Sequence, residues 1–372
     1  MQQRRREGRP IIDLTASNPT RAGFEYPQDL LAPLSHCRGL TYAPEPFGAI
    51  DARQAIAEDY ARRGVRANPE RMVLTSSTSE AYSLLFKLLM VPGDEVLVPR
   101  PSYPLFELLT SLDGVVARHY ELEYHGVWSI DLESVDRAWS PRTRALLVVT
   151  PNNPTGSFVR RQELDCLAAR CASRGAALIA DEVFADYVLD PVAAGNAGRI
   201  LASEEALVFA LGGLSKSVGL PQVKLGWIAA AGDDRVVSDA LSRLEIVCDS
   251  YLSVSTPVQL AARELLERGA VVRAQIASRI AGNDERLLAL ALNAPACTVI
   301  PTEGGWYAVV QVPTLRSEEE LVLELLNIDG VLAHPGYFFD FARESFVVVS
   351  LLPPEDQFAI GVERLFARVH AS

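Results

Sequence analysis

The chain has 372 residues, of which 49% are apolar and 22% charged, and its 35 Lys plus Arg against 47 Asp plus Glu leave a net charge of −12. At about 150 residues per domain, this length accommodates two domains with ample core. The acidic balance argues against nucleic acid or an anionic membrane as principal partner, and no apolar run approaches the roughly 18 residues of a membrane span.

Near the start stands a basic run, Arg4-Arg5-Arg6, without the apolar stretch of a secretory signal, and it reads as a solvated, mobile terminus. The irregular, Pro-rich segment that follows is too short for a domain and is expected to pack on the C-terminal module. From about residue 50 to 230, helical periodicity in Ala52–Arg63, Glu80–Met90 and Gln162–Arg174 alternates with short apolar runs. Those runs are Met72–Leu74, Glu95–Val98, Ala145–Val149, Ala177–Ala180, Ala206–Leu211 and Leu225–Ala230. Their length and their Gly, Pro and polar boundaries predict strands buried on both faces. The alternation predicts an α/β fold, a mostly parallel sheet covered by helices, with ligands beyond the carboxyl ends of the strands. Val258–Leu292 is Pro-free and too long for one compact helix without a bend. After it come Thr298–Ile300, Trp306–Val312, a helix opened by the capping box Ser317-x-x-Glu320, Val331–His334, Phe346–Leu352 and a closing helix from Glu355, a smaller α+β module. The expected division is a large domain over 42–270 and a small one from 1–41 plus 271–372.

Four loops at predicted strand ends carry unusual polar residues. Thr75-Ser76-Ser77-Thr78-Ser79-Glu80 opens a helix: Ser77-x-x-Glu80 is a capping box, and hydroxyls at a helix N-terminus also make an anion site. Thr150-Pro151-Asn152-Asn153-Pro154-Thr155-Gly156 is good turn chemistry in its own right. Asp181-Glu182 puts carboxylates at the end of a buried strand, where each needs a capped helix, a salt bridge or a cationic ligand. Gly212-Gly213-Leu214-Ser215-Lys216-Ser217 places a lysine where it could act as a nucleophile. It is not a phosphate loop, since that motif needs glycine immediately before the lysine and again five residues earlier, where Ser215 and Ala210 stand. No GxGxxG occurs. The five cysteines (Cys37, Cys166, Cys171, Cys248, Cys297) lack C-x-x-C spacing, which excludes a disulfide framework and a thiolate zinc site and suits a reducing cytoplasm.

In this order and spacing, the loops make the chain resemble the class I/II aminotransferases, pyridoxal-phosphate (PLP) enzymes of fold type I, from about Asn18 to the final helix. The matching stretches are Pro-Asn-Asn-Pro-Thr-Gly at 151–156, Asp-Glu-Val at 181–183 and Ser-Lys with Gly-Leu-Pro and Leu-Gly-Trp within 215–227. Val91-Pro92-Gly93-Asp94, Pro101-Ser102-Tyr103-Pro104 and Tyr42 followed by Gly48 and Arg53 also fit. The resemblance implies that Lys216 forms the Schiff base with PLP and then carries the α-proton. By the same resemblance Asp181 pairs with the pyridine nitrogen, Asn153 donates to the ring oxygen beside the substrate, Tyr103 stacks on the ring, and Ser77 and Thr78 hold the phosphate. Tyr42 resembles the tyrosine that reaches the neighbouring subunit's phosphate, which implies a homodimer. The implied reaction moves an amino group from an amino acid to a 2-oxo acid.

The chain departs from the family pattern in several places. The phosphate-binding arginine eight residues after the lysine is here Lys224, a point charge without the bidentate fork. A usual serine is Gly213, and Ser77 stands where glycine is common. The tyrosine that normally donates to the ring oxygen is Phe184, which predicts a Schiff base that stays protonated to higher pH than usual. Tyr187 replaces that hydroxyl only in an unusual turn. Most consequentially, Val348 occupies the position of the arginine that binds the substrate carboxylate. Arg21 and Arg343 are the nearest substitutes, Arg21 being preferred, and the loss raises a PLP-dependent lyase or decarboxylase as the alternative activity. His36, His119, His125, His334 and His370 show no metal spacing and are read as structural. Cys166 and Cys171 share a helix and are read as core, and Gly304-Gly305-Trp306-Tyr307 resembles a family loop near the substrate.

Overall fold

The computed structural model describes Gly8, residues 10–343 and residues 345–371, so the Arg4-Arg5-Arg6 run lies outside the described residues. The first strand, β1 (Ile12–Asp13), is followed by eight that form one sheet: β2 (Met72–Thr75), β3 (Glu95–Arg100), β4 (Val116–Tyr124), β5 (Trp128–Ile130), β6 (Thr143–Val149), β7 (Ala177–Asp181), β8 (Val208–Gly213) and β9 (Gly226–Ala231). Their spatial order is β2-β9-β8-β7-β6-β3-β4-β5. The run β8-β7-β6-β3-β4 is parallel, while β9 is antiparallel to both β8 and β2. Side chains alternate between two cores as the pleat requires. Ile179, Phe209 and Leu211 pack with the helix Thr78–Leu89, whereas Leu178, Ala180 and Ala210 pack with Leu164 and Leu167 of the helix Arg161–Arg174. All six predicted apolar runs are strands of this sheet. The unforeseen β4 and β5 form its edge, where the alternating Val116–Tyr124 sequence is only partly buried.

This topology brings the ends of β2, β6, β7 and β8 to one side of the sheet. Because β9 runs the other way, its first residue, Gly226, pairs with both Thr75 and Gly213 on that same side. Gly212 is required by packing: a Cβ there would lie 2.5 Å from Nε1 of Trp227, whose indole N–H donates to Tyr60 at 3.1 Å.

The long helical region divides at Gly269 into Thr256–Arg268 and Ala270–Ala291. Beyond it, β10 (Thr298–Ile300), β11 (Tyr307–Gln311), β12 (Val331–Leu332), β13 (His334–Pro335) and β14 (Phe346–Ser350) build the smaller module. An antiparallel sheet runs β10-β11-β14-β13, and β1 joins β12 in a parallel pair. The predicted single strand Val331–His334 is therefore two, split after Leu332 between different sheets. The N-terminal segment is tied down further by Ser350, which donates to the carbonyls of Leu14 (backbone N, 2.6 Å) and Ala16 (Oγ, 2.5 Å). The predicted capping box forms, with Glu320 N donating to Ser317 Oγ at 3.2 Å.

The reading of both helix cysteines as core needs correction. Cys171 is buried, but Cys166, five residues earlier, falls on the exposed face of the same helix. With Cys37 also exposed, two thiols of the native protein are expected to react with a maleimide at pH 8. Cys171, Cys248 and Cys297 are expected to react only on unfolding, since burial pushes their thiols up to about 12, 12 and 11. Counting labelled thiols by mass spectrometry checks this, and a third fast thiol would contradict the packing.

Candidate active site

At the end of β2 the chain turns into the helix Thr78–Leu89. Ser77 Oγ caps it by accepting from Glu80 N at 3.2 Å, while the Glu80 carboxylate accepts from Ser76 N at 2.5 Å. The expected capping box is only half made, because Glu80 reaches Ser76 N and not the N–H of the cap residue Ser77. It does not exhaust the helix terminus, because the N–H groups of Thr78 and Ser79 have no place in the intrahelical ladder. Ser77, Thr78 and Ser79 all line one cavity, which gives it a cluster of hydroxyls at the positive end of a helix dipole.

Asp181, the last residue of β7, faces the same cavity. Its carboxylate accepts from Tyr82 Oη at 2.8 Å and from Val183 N at 3.1 Å. Burial nevertheless raises its pKa, against the lowering effects of those two bonds and of Lys216. Glu182 turns elsewhere, its carboxylate 4.0 Å from the Arg63 guanidinium. Adjacent carboxylates therefore meet different fates, a structural ion pair for Glu182 and an open cavity for Asp181.

Lys216 lies in the short helix Leu214–Ser217 that follows β8. Its Nζ sits 4.7 Å from the ring centre of Trp306 and 5.6 Å from that of Phe184. This apolar enclosure lowers its pKa to about 8, with Asp181 acting in the opposite direction. Tyr187 does not replace the hydroxyl missing at Phe184. Its Oη donates to the carbonyl of Lys216 at 2.5 Å, which fixes the backbone of the lysine.

The turn after β6 is held by Asn152, whose Nδ2 donates to Pro101 O at 3.1 Å and to Thr155 Oγ1 at 2.9 Å, while its Oδ1 accepts from Ser102 Oγ at 3.1 Å. Its neighbour Asn153 is also buried and faces the cavity, its Oδ1 without a partner among the described residues. An orphaned buried amide at a cavity wall is a group awaiting a ligand.

The cavity encloses about 550 Å³. It gathers Ser77, Thr78, Tyr103, Asn153, Asp181 and Lys216 from five separate stretches of sequence, together with Ser215 and Gly213. It does not gather the remaining candidates. Lys224 is exposed, although its neighbours Leu225 and Gly226 line the wall. Tyr42 is 72% exposed and lines a different depression. Arg21 and Arg343 are exposed and absent from the cavity wall, and Val348 is buried in β14. Two residues escaped the sequence reading. Tyr82 looks like an ordinary apolar-face position of a helix, and its contact with Asp181 spans 99 residues of chain. His334, read as structural, lines the cavity from β13. Among the described residues no cluster of His, Cys, Asp or Glu is fit to hold a metal ion.

A family model for aminotransferase class I and II matches residues 9–365. The chain belongs to the class I and II aminotransferases. It is 31% identical to the aspartate/prephenate aminotransferase of Thermus thermophilus, over 98% of this chain and 92% of that one. It is 25% identical to the glutamate-pyruvate aminotransferase of Haemophilus influenzae, over 96% and 90%. The solved alanine aminotransferase of Pyrococcus furiosus superposes with a TM-score of 0.89 at 22% identity, covering 100% of this chain and 95% of that one. The aminotransferase activity is thus supported by sequence and fold together, and the lyase alternative finds no better support in these likenesses. The residues of this aminotransferase also suit the PLP on which its family depends. A carboxylate desolvated to the point of a raised pKa matches a cationic ring nitrogen, an unpartnered amide matches a ring substituent, and a hydroxyl-lined helix terminus matches a phosphate. Among the described residues no helix is long and apolar enough to cross a membrane.

Proposed function

We propose that this aminotransferase binds PLP in the cavity between Asp181, Lys216 and the helix Thr78–Leu89, and there moves an amino group from an amino acid to a 2-oxo acid. The observation carrying this reading is the meeting of buried Asp181 and half-buried Lys216, both pushed toward neutrality, in one cavity ending on hydroxyls and free N–H groups. PLP, when bound, supplies an electron sink for the charge left by loss of the substrate's α-proton. Asp181 would hold the ring nitrogen protonated, with Tyr82 and the Val183 N–H keeping its carboxylate in place. Asn153 would hold the ring oxygen and Tyr103 a ring face. Ser77 and Thr78, together with Ser215, would hold the phosphate, and Lys224 would add charge from outside the wall. Lys216 is the residue that would bond to the cofactor and then carry the α-proton on Nζ, for which a pKa near 8 is well matched. Trp306 and Phe184 exclude water around that nitrogen.

Addition of PLP to the apoprotein is expected to produce a visible absorbance band. Borohydride followed by peptide mass spectrometry is expected to place the cofactor on Lys216. Labelling of any other lysine in its stead would overturn the assignment. We further infer a homodimer in which exposed Tyr42 reaches the neighbouring subunit's phosphate, a large domain spanning 42–270, and a cytoplasmic setting that suits five free cysteines.

A further inference from the structure

We propose that the imidazole of His334 binds the carboxylate of the amino-acid substrate. This rests on the aminotransferase reading of the cavity. An α-amino acid brings a carboxylate into a largely apolar space, and an unpaired carboxylate there would be strongly disfavoured. Among the described residues, Lys216 and His334 are the only cavity-lining side chains able to form a cation, and Lys216 is committed to the chemistry. No arginine lines the wall.

The position of His334 follows from strand register. β13 pairs with β14 so that His334 lies opposite Val348, placing an imidazole beside the strand position where a guanidinium would otherwise project. Phe339 meets its ring nearly edge-on at 5.5 Å, and Phe338 packs at 5.9 Å. No hydrogen bond to another described residue uses either ring nitrogen, so both remain open to a ligand. Burial lowers the pKa of this imidazole and Asp13, on β1, only partly opposes it, so an arriving carboxylate has to add to Asp13 to hold the ring protonated. One imidazole offers a single directed N–H where a guanidinium offers a fork. Phe106, Phe338, Phe339 and Tyr307 on the same wall suit contact with an apolar side chain.

The test uses the PLP-loaded enzyme and two unreactive probes of one shape, 3-phenylpropanoate and 3-phenylpropanamide, with calorimetry as readout. His334→Leu is expected to weaken the carboxylate at least about tenfold, a loss of about 1.4 kcal/mol, and to leave the amide unchanged. His334→Gln, which keeps an N–H donor, is expected to fall between. In steady state His334→Leu is expected to raise KM at least about tenfold for a neutral amino acid, with kcat within a few-fold. Carboxylate affinity in both variants equal to wild type, or equal losses for carboxylate and amide, would overturn the assignment. The underlying function is read separately, in wild type: amino acids must change the cofactor absorbance without added oxo acid. If they do and both variants retain carboxylate affinity, the His334 inference alone fails.

Discussion

Lys216→Met is expected to abolish amino transfer, by at least about 10⁴-fold, and yet to make the unliganded protein more stable at pH 7. The two effects share one cause. In the unfolded chain this lysine titrates near 10.5, and in the folded unliganded chain near 8, because the enclosure by Trp306 and Phe184 disfavours the ammonium more than Asp181 favours it. Below pH 8 the side chain is charged in both states and the penalty stands in full. Between pH 8 and 10.5 the folded chain has already lost its proton, and the penalty fades as pH rises. Its size is roughly 3 kcal/mol at about 1.4 kcal/mol per pH unit. Methionine fills similar volume without charge, so Lys216→Met is expected to melt about 4 °C higher than wild type at pH 7, with the gap closing toward pH 10. Saturating PLP is expected to reverse the order, because wild type adds a covalent bond to the non-covalent contacts that both proteins keep and so binds the cofactor more tightly. Thermal melts at pH 7 and 10, with and without PLP, check all of this. A variant less stable than wild type at pH 7 without PLP would show that the lysine is not desolvated.

Much of the catalytic side of the sheet was legible because its signals are local. A short apolar run that ends in a polar loop says strand and marks its end for a cavity, and strand and cavity coincide at β2, β6, β7 and β8. The need for a bend within Val258–Leu292 and the capping box at Ser317 were legible for the same reason, though not that the break falls at Gly269. What stayed hidden depends on contacts distant in sequence. β4 alternates polar and apolar residues because it lies near the sheet edge, so it lacks the continuous run of a central strand. The split of Val331–His334 follows from β1, more than 300 residues away, claiming the first half of that run. That split is also what aims His334 into the cavity. Tyr82 is equally opaque: its hydroxyl is meaningful only once the helix packs on β7. Cys166 illustrates an error of phase, since five residues along a helix is well over a full turn and carries the thiol off the buried stripe occupied by Cys171.

Asp181→Asn separates the fold from the chemistry by removing a charge and little else. In the unliganded protein the carboxylate is disfavoured by burial, so an amide of the same shape is expected to alter stability by less than about 1 kcal/mol. Once PLP is bound the comparison changes. The aspartate would face a protonated ring nitrogen in a dry site, a charge-assisted contact that the amide cannot match, and PLP affinity is expected to fall about 10- to 100-fold. Amino transfer at saturating PLP is expected to fall further, on the order of 10³-fold or about 4 kcal/mol in the barrier, since the ring's capacity to accept electrons depends on that proton. Tyr82→Phe provides the graded comparison. It leaves the charge but removes the 2.8 Å bond that orients it, so a loss of about tenfold or less in kcat is expected, with PLP still bound. Stopped-flow measurement of the half-reaction with an amino acid, together with PLP titration, distinguishes these outcomes. If Asp181→Asn transfers amino groups as fast as Tyr82→Phe, the carboxylate is only a structural partner of the tyrosine, and the ring nitrogen must be held by another group.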